Sequence, residues 1–200
     1  MTMLILVRHG VTPDNKRMVF QGHGGSPLDE EGVAQAKLVA ARLSKLPIAA
    51  VYSSDLERAH GTAAEIVASC NLSEVHVDRR LREVDVGAWS GLPREELEAQ
   101  FPEQWAAWRR GEDVRRGGGE TYAECGERVA SFLNEVRNAS LGKLVVCVSH
   151  GGAIRSGAAH VLGLPSNKLA PLRNTSLSVI EWSTFEEPRL LSYNDAGHLP

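Results

Sequence analysis

The stretch Leu4-Ile5-Leu6-Val7-Arg8-His9-Gly10 decides how the rest of the 200-residue chain is read. Four apolar residues, two of them β-branched, make a run that suits a strand buried on both faces. The run stops at a cation and an imidazole, and Gly10 then frees the backbone to turn. In open α/β sheets the ligand crevice lies beyond the carboxyl ends of the strands, so Arg8 and His9 stand where chemistry would be done. One strand ending this way says little. The same grammar returns far downstream, where Leu144-Val145-Val146-Cys147-Val148 ends at Ser149-His150-Gly151-Gly152.

Between these two runs, strand and helix signals alternate. Residues 11–28, rich in Gly, Pro, Asn and Asp, read as a long loop over the first strand end, a length that usually signals function. Asp29 is placed to cap a helix running to about Ser44, with Val33, Ala36, Ala40 and Leu43 inward. Residues 48–52 form a second apolar strand. Ser54-Asp55-Leu56-Glu57 has the S-x-x-E form of a capping box, which puts Arg58 in a helical first turn, where free N–H groups favour an anion. Residues 75–77 suit a short strand, and Leu81-Arg82-Glu83-Val84 leads into a Gly/Trp loop at residues 87–91.

Residues 93–116 are polar, helical and Trp-containing, and are read as an inserted cap segment closed by Gly117-Gly118-Gly119. Thr121-Tyr122-Ala123-Glu124 is another capping box, opening a helix with Val129, Phe132, Leu133 and Val136 inward. The helix after His150 is expected to bury Ile154, Ala158, Val161 and Leu162. Residues 176–182 and 189–193 suit late strands, as a hairpin at the sheet edge. The pattern predicts an α/β fold: a three-layer α/β/α sandwich with a mostly parallel central sheet and a small helical inserted subdomain, one domain over residues 1–200.

Composition narrows the function. With 42% apolar residues the chain can bury a sizeable core, and a net charge of −3 with a pI near 6.2 gives no positive field for nucleic acid. Basic residues cluster instead, at Arg79-Arg80, Arg109-Arg110 and Arg115-Arg116, as a local anion pocket would need. No apolar run approaches ~18 residues, so no membrane span is expected. The N-terminus has no charged-then-apolar leader. Cys70, Cys125 and Cys147 are odd in number and lack zinc spacing, which suits reduced thiols in a cytoplasmic protein. A homodimer is compatible with the sequence, which does not specify an oligomeric state.

Three apolar strands would deliver Arg8, His9, Arg58 and His150 to one sheet edge. Guanidinium forks suit the oxygens of a phosphoryl group, and a neutral imidazole is a competent nucleophile toward phosphorus. Neighbouring arginines disfavour imidazolium at His9, while His150 would complete a charge clamp as a cation on the transition state. Hydrolysis of a phosphate monoester needs up to ~10²¹-fold acceleration, which demands a pre-built electrostatic cradle. A leaving alkoxide also needs a proton, for which Glu83 is the carboxyl candidate.

These residues carry a resemblance. Arg8-His9-Gly10-Val11-Thr12-Pro13-Asp14-Asn15 resembles the R-H-G-x-T-x-x-N signature of the histidine phosphatase superfamily, the phosphoglycerate-mutase-like group, on its phosphatase branch. The likeness continues in order through Gln21-Gly22, Ser26-Pro27-Leu28, Ser53-Ser54 with Arg58-Ala59 and Thr62-Ala63, and Leu81-x-Glu83 with Gly87, Trp89 and Gly91. Gly118-Gly119-Glu120-Thr121, Ser149-His150-Gly151-Gly152 and Asn174-Thr175-Ser176 complete it. The resemblance implies that His9 is the phosphorylated nucleophile and Glu83 the proton donor and acceptor. Arg8, Arg58 and His150 would bind the phosphoryl group, with Asn15, Gln21 and the Gly151 backbone in support. It also implies no metal and no cofactor, and a small-molecule phosphomonoester as substrate. Val11 and His23 depart from the common pattern, which bears on pocket lining.

The remaining features are read as structural. His23, His60, His76, His160 and His198 are expected on the surface or in loops, Trp105 and Trp108 in packing, and Arg109, Arg110, Arg115 and Arg116 on a solvated face. Cys147 reads as a core hydrophobe. Ala153 sits where a Cys-x5-Arg phosphatase needs arginine, Cys147 replaces the first Gly of a G-x-S-x-G elbow, and no P-loop is present. A bisphosphoglycerate-dependent mutase is the nearest rival, and a non-catalytic phosphate-binding module is a third class. Such mutases generally carry a longer segment than residues 91–117 provide, and the complete set of site residues argues against the module. The substrate itself is open among sugar phosphates, phosphoglycerate derivatives, phosphoserine and nucleotide-loop phosphates.

Overall fold

Successive side chains of a strand point to opposite faces, and β1 (Thr2–Arg8) buries both. The computed structural model describes residues 1–166, 168–183 and 187–200. After β1 come α1 (Pro13–Lys16), α2 (Glu30–Leu43), β2 (Ile48–Ser53), α3 (Glu57–Ser69) and β3 (His76–Val77). α4 (Arg94–Gln100), α5 (Pro102–Arg109) and α6 (Tyr122–Ala139) follow, then β4 (Leu144–Ser149), α7 (Gly151–Val161), β5 (Leu177–Trp182) and β6 (Arg189–Asp195). The six strands form one sheet in the order β3-β2-β4-β1-β5-β6. β3, β2, β4 and β1 run parallel, and β5 and β6 add an antiparallel edge where the sequence suggested a hairpin.

The two faces of β1 belong to two different cores. Leu4 and Leu6 pack with Val145 and Cys147 of β4 and with Val129, Phe132 and Leu133 of α6. Ile154 and Ala158 of α7 complete that layer. Ile5 and Val7 face the other way, toward Val39 and Leu43 of α2 and Ala59, Ala63 and Ile66 of α3. The sheet is therefore the middle of three layers, as the sequence predicts. A separate apolar cluster of Val86, Trp89, Leu97 and Trp105 underlies α4 and α5.

Local signals fare unequally. Asp29 caps α2 by accepting from the Gly32 N–H at 2.8 Å, and Thr121 and Glu124 make both reciprocal bonds of a capping box on α6. The box expected at Ser54 does not form: α3 starts at Glu57 with Leu56 as an N-cap that makes no side-chain bond. Ser54 Oγ accepts from the Leu56 N–H instead, and the Asp55 carboxylate is taken by Arg82. Arg58 still falls in the first turn of α3. Residues 11–28 are not wholly loop, because Thr12 and Asn15 form a reciprocal cap on α1. On α2, Val39 rather than Val33 completes the buried face, and on α7 Val161 and Leu162 are only half-buried because the helix ends there.

The loop after β1 lies directly on the start of α2. A Cβ on Gly32 would meet the Val11 carbonyl oxygen at 2.1 Å, and one on Gly10 would meet the Gly32 oxygen at 2.4 Å. Backbone-to-backbone contact of this kind leaves no flexible atom to yield. Gly32→Ala is therefore expected to lower unfolding free energy by about 1–3 kcal/mol, read by urea denaturation. An unchanged midpoint would mean that the loop is free to move away.

Candidate active site

Arg8 pairs with Ser149 at the carboxyl ends of adjacent strands, and the His9 N–H donates to the Ser149 carbonyl at 3.0 Å. From there β1 continues toward α2 on one face and β4 enters α7 on the other. The two strand ends part, and a crevice opens between them. A cleft of about 290 Å³ occupies it, and Arg8, His9, Asn15, Gln21, Arg58, Glu83 and Gly151 all stand on its wall. His150 is wholly buried beside His9, with its ring centroid 5.1 Å from that of His9.

The tautomer of His9 follows from one bond. Its Nδ1 is 2.6 Å from the Gly10 carbonyl oxygen, which can only accept, so Nδ1 carries the proton and Nε2 keeps its lone pair. Burial, and then the charges of Arg8 and Arg58, hold the His9 pKa well below that of a free imidazole. Burial also dominates at His150, reinforced by Arg58, His9 and Arg8, and neither of its ring nitrogens has a partner. Burial thus disfavours the imidazolium form of His150 while no anion lies beside it.

The guanidiniums are fixed from behind. Arg8 donates to the Leu172 carbonyl at 2.5 Å, and Arg58 donates through its two Nη atoms to the Gly24 and Gly22 carbonyls at 2.5 and 2.8 Å. Arg58 thereby ties the loop around residues 22–24 to α3 as well as charging the cleft. The Nε of each is buried without a partner, and burial lowers the pKa of both while the Glu83 carboxylate opposes that shift.

Glu83 sits at the N-terminus of α7. Its Oε1 accepts from the Ala153 and Val84 N–H groups at 2.9 Å each, and its Oε2 from the Gly152 N–H at 3.2 Å. Its carbonyl accepts from His23 Nε2 at 2.9 Å and from Arg128 Nη2 at 3.3 Å. Asn15 Oδ1 accepts from Asn174 Nδ2 at 3.1 Å, and the same amide donates to the His9 carbonyl at 3.0 Å.

Some residues of the site escaped the sequence reading. Arg128 binds the Arg80, Arg82 and Glu83 carbonyls and the Glu120 carboxylate together, and so fixes the segment that carries Glu83. Arg116, assigned to a solvated face, is 2% exposed and lines the cleft with Trp108, Tyr122 and Arg155. Arg109, Arg110 and Arg115 are exposed as expected. His60, His76 and His160 are on the surface, while His23 and His198 are half-buried. Trp105 is buried and stacks on Trp108 at 5.1 Å, so both pack, and Trp108 also reaches the cleft. Cys147 is buried in the core, and all three cysteines are free. Among the described residues, no helix is long and apolar enough to cross a membrane, and no group of three or more His, Cys, Asp or Glu is arranged for a metal.

A family model described as the histidine phosphatase superfamily (branch 1) matches residues 4–196. The chain is 38% identical over 204 residues to phosphoserine phosphatase 1 of Hydrogenobacter thermophilus, covering 100% of this chain and 95% of that protein. It is 37% identical over 201 residues to phosphoglycerate mutase-like protein 4 of Arabidopsis thaliana, covering 98% and 86%. The solved structure of a mycobacterial glucosyl-3-phosphoglycerate phosphatase superposes with a TM-score of 0.89 at 31% identity, covering 97% of this chain and 99% of that one.

Two imidazoles buried in the neutral form make stability depend on pH. Both pKa values are lowered on folding, so below about 6.5 the unfolded chain binds more protons than the folded one. Stability is then expected to fall between pH 7 and pH 5, each histidine contributing up to ~1.4 kcal/mol per pH unit. Urea unfolding across that range should show a shallower slope in His150→Asn. Equal slopes would place the pH dependence elsewhere.

Proposed function

The chain belongs to the histidine phosphatase superfamily and is a phosphatase of that type, and we propose that it hydrolyses a small phosphorylated metabolite through a phosphohistidine at His9. One observation carries this reading: His9 Nε2 keeps a free lone pair in a cationic cleft while Nδ1–H is tied to the Gly10 carbonyl. Nε2 attacks phosphorus, the bond from phosphorus to the ester oxygen breaks, and Glu83, which takes up a proton from solvent as the phosphate's negative charge arrives, delivers it to the departing alkoxide. Oε2 is the oxygen suited to carry that proton, since it has a single acceptor bond at 3.2 Å while Oε1 has two.

In the second half, the Glu83 carboxylate takes a proton from water. The resulting hydroxide attacks phosphorus, and His9 leaves as neutral imidazole with inorganic phosphate as product. Arg8 and Arg58 neutralise the equatorial oxygens, and His150 bonds the same group and gains a proton as the anion's charge offsets the arginines. Asn15, Gln21 and the Gly151 backbone support the phosphoryl group. Residues 93–116 act as the cap, with Trp108 bringing it to the cleft. The substrates named for the relatives, phosphoserine and phosphoglycerate derivatives, are the first to offer.

A mutase reading draws on the relative named for phosphoglycerate mutase. Supplying 3-phosphoglycerate with and without the bisphosphate separates the two, and phosphate release is expected to exceed isomerisation. Acid-labile, base-stable label on His9 after mixing with a ³²P-monoester is expected. His9→Ala should fold normally and lose roughly 10³-fold or more of its turnover on an aryl phosphate, and unchanged turnover would remove His9 from the chemistry. Glu83→Gln should slow alkyl monoesters by about 10²–10⁴-fold and 4-nitrophenyl phosphate far less, because a good leaving group needs no proton.

A further inference from the structure

The cleft has an outer half that phosphoryl transfer does not use. Trp108, Arg116, Tyr122 and Arg155 form it. The guanidinium carbons of Arg116 and Arg155 lie 4.1 and 4.5 Å from the centre of the Tyr122 ring, so one ring supports two cations. Arg116 Nη1 donates to the Tyr122 hydroxyl at 3.1 Å, while its Nε and Nη2, and the Nε of Arg155, are buried without a partner. Among the described residues neither arginine pairs with a carboxylate.

A buried guanidinium with no anion is costly, and the free edge identifies what would relieve it. Nε and Nη2 form the side-on fork that accepts both oxygens of one carboxylate. This chain uses that fork three times elsewhere. Arg80 grips Asp78 through Nε and Nη2 at 3.1 and 2.7 Å. Arg82 grips Asp55 through Nε and Nη2 at 2.7 and 2.5 Å, and Arg128 grips Glu120 the same way at 2.8 and 2.7 Å. On Arg116 the same edge is empty. Arg8 and Arg58 share this condition, each with a buried unpartnered Nε in the same cleft.

The backbone fixes Arg116 in place. Gly117, at φ +53, packs against the Val86 carbonyl and the Ala88 N–H so closely that a Cβ would lie 2.6 Å from each. The Gly117 N–H donates to Gln104 Oε1 at 3.1 Å, and the Glu120 N–H to the Asp85 carbonyl at 2.8 Å. Arg116 is thus anchored to the segment that also carries Glu83. A group held in this way is preorganised for a ligand.

We propose that the outer half of the cleft binds a carboxylate carried on the same small molecule as the phosphoryl group, with Arg116 as its side-on anchor and Arg155 as the second cation. The substrate class is then a phosphorylated carboxylic acid, an assignment that rests on the phosphomonoesterase reading above. A matched pair tests it, because 3-phosphoglycerate and glycerol 3-phosphate differ only by carboxylate against hydroxymethyl. The wild-type kcat/KM should favour 3-phosphoglycerate by about 10–100-fold, carried mainly by KM. That ratio should collapse toward unity in Arg116→Met, shrink in Arg155→Met, and survive only in part in Arg116→Lys, which keeps the charge without the fork.

The same pair titrated calorimetrically into His9→Ala reads binding without turnover. If the wild type hydrolyses neither compound nor 4-nitrophenyl phosphate, the phosphatase reading fails, and the calorimetric ratio still decides the carboxylate site. Should Arg116→Met fail to fold, Arg155→Met and Arg116→Lys carry the comparison. A wild-type ratio near one, or a ratio untouched by all three substitutions, overturns the assignment. So does fructose 1,6-bisphosphate outcompeting 3-phosphoglycerate, which would put a second phosphate in the outer half.

Discussion

Two guanidiniums and two imidazoles are held out of water where β1 and β4 end, and the carboxylate facing them, Glu83, is tied to the backbone amides of α7. Burial penalises the charged forms of both arginines and both histidines, the arginines deepen that penalty at the histidines, and Glu83 offsets it at the arginines. The fold pays this cost before any ligand arrives. On the proposed function, an incoming phosphoryl dianion would meet donors already held in place and largely buried, which is the condition under which electrostatic stabilisation is strongest.

The sheet order makes that arrangement possible. β1 sits between β4 and β5, and its two apolar faces are covered by different helix pairs, so its end cannot shift without disturbing both cores. The Asn174–Thr175 turn adds a third restraint. The Thr175 N–H, at φ +54, donates to the Arg8 carbonyl at 3.0 Å while Asn174 holds the His9 carbonyl and Asn15. The end of β1 and the loop that follows it are held by the same few bonds, while the His9 tautomer is set by the Gly10 carbonyl.

Much of this was legible in the sequence because it is written in local grammar. Apolar runs ending in Arg-His or Ser-His mark the strands whose ends meet at the cleft, and Asp29 and Thr121 mark helix starts through chemistry confined to four residues. The Ser54 box was misread because Asp55 is claimed by Arg82 from a distant segment, and no local pattern records that. Arg116 was hidden for the same reason. Within a run of arginines it resembles its exposed neighbours, and only the glycine turn after it and the Tyr122 ring carry it inward. His150 is marked by its motif, but its complete burial beside His9 follows from tertiary packing, which residue type alone does not encode.

The central claim is that His9, His150, Arg8 and Arg58 converge on one tetrahedral anion. A crystal structure with orthovanadate tests it most directly, since that ion adopts the five-coordinate geometry of phosphoryl transfer. The expected result is vanadium bonded to His9 Nε2, with its oxygens on Arg8, Arg58 and His150 and one apical oxygen facing Glu83. Vanadate bound elsewhere, or in the cleft but away from Nε2, would contradict it.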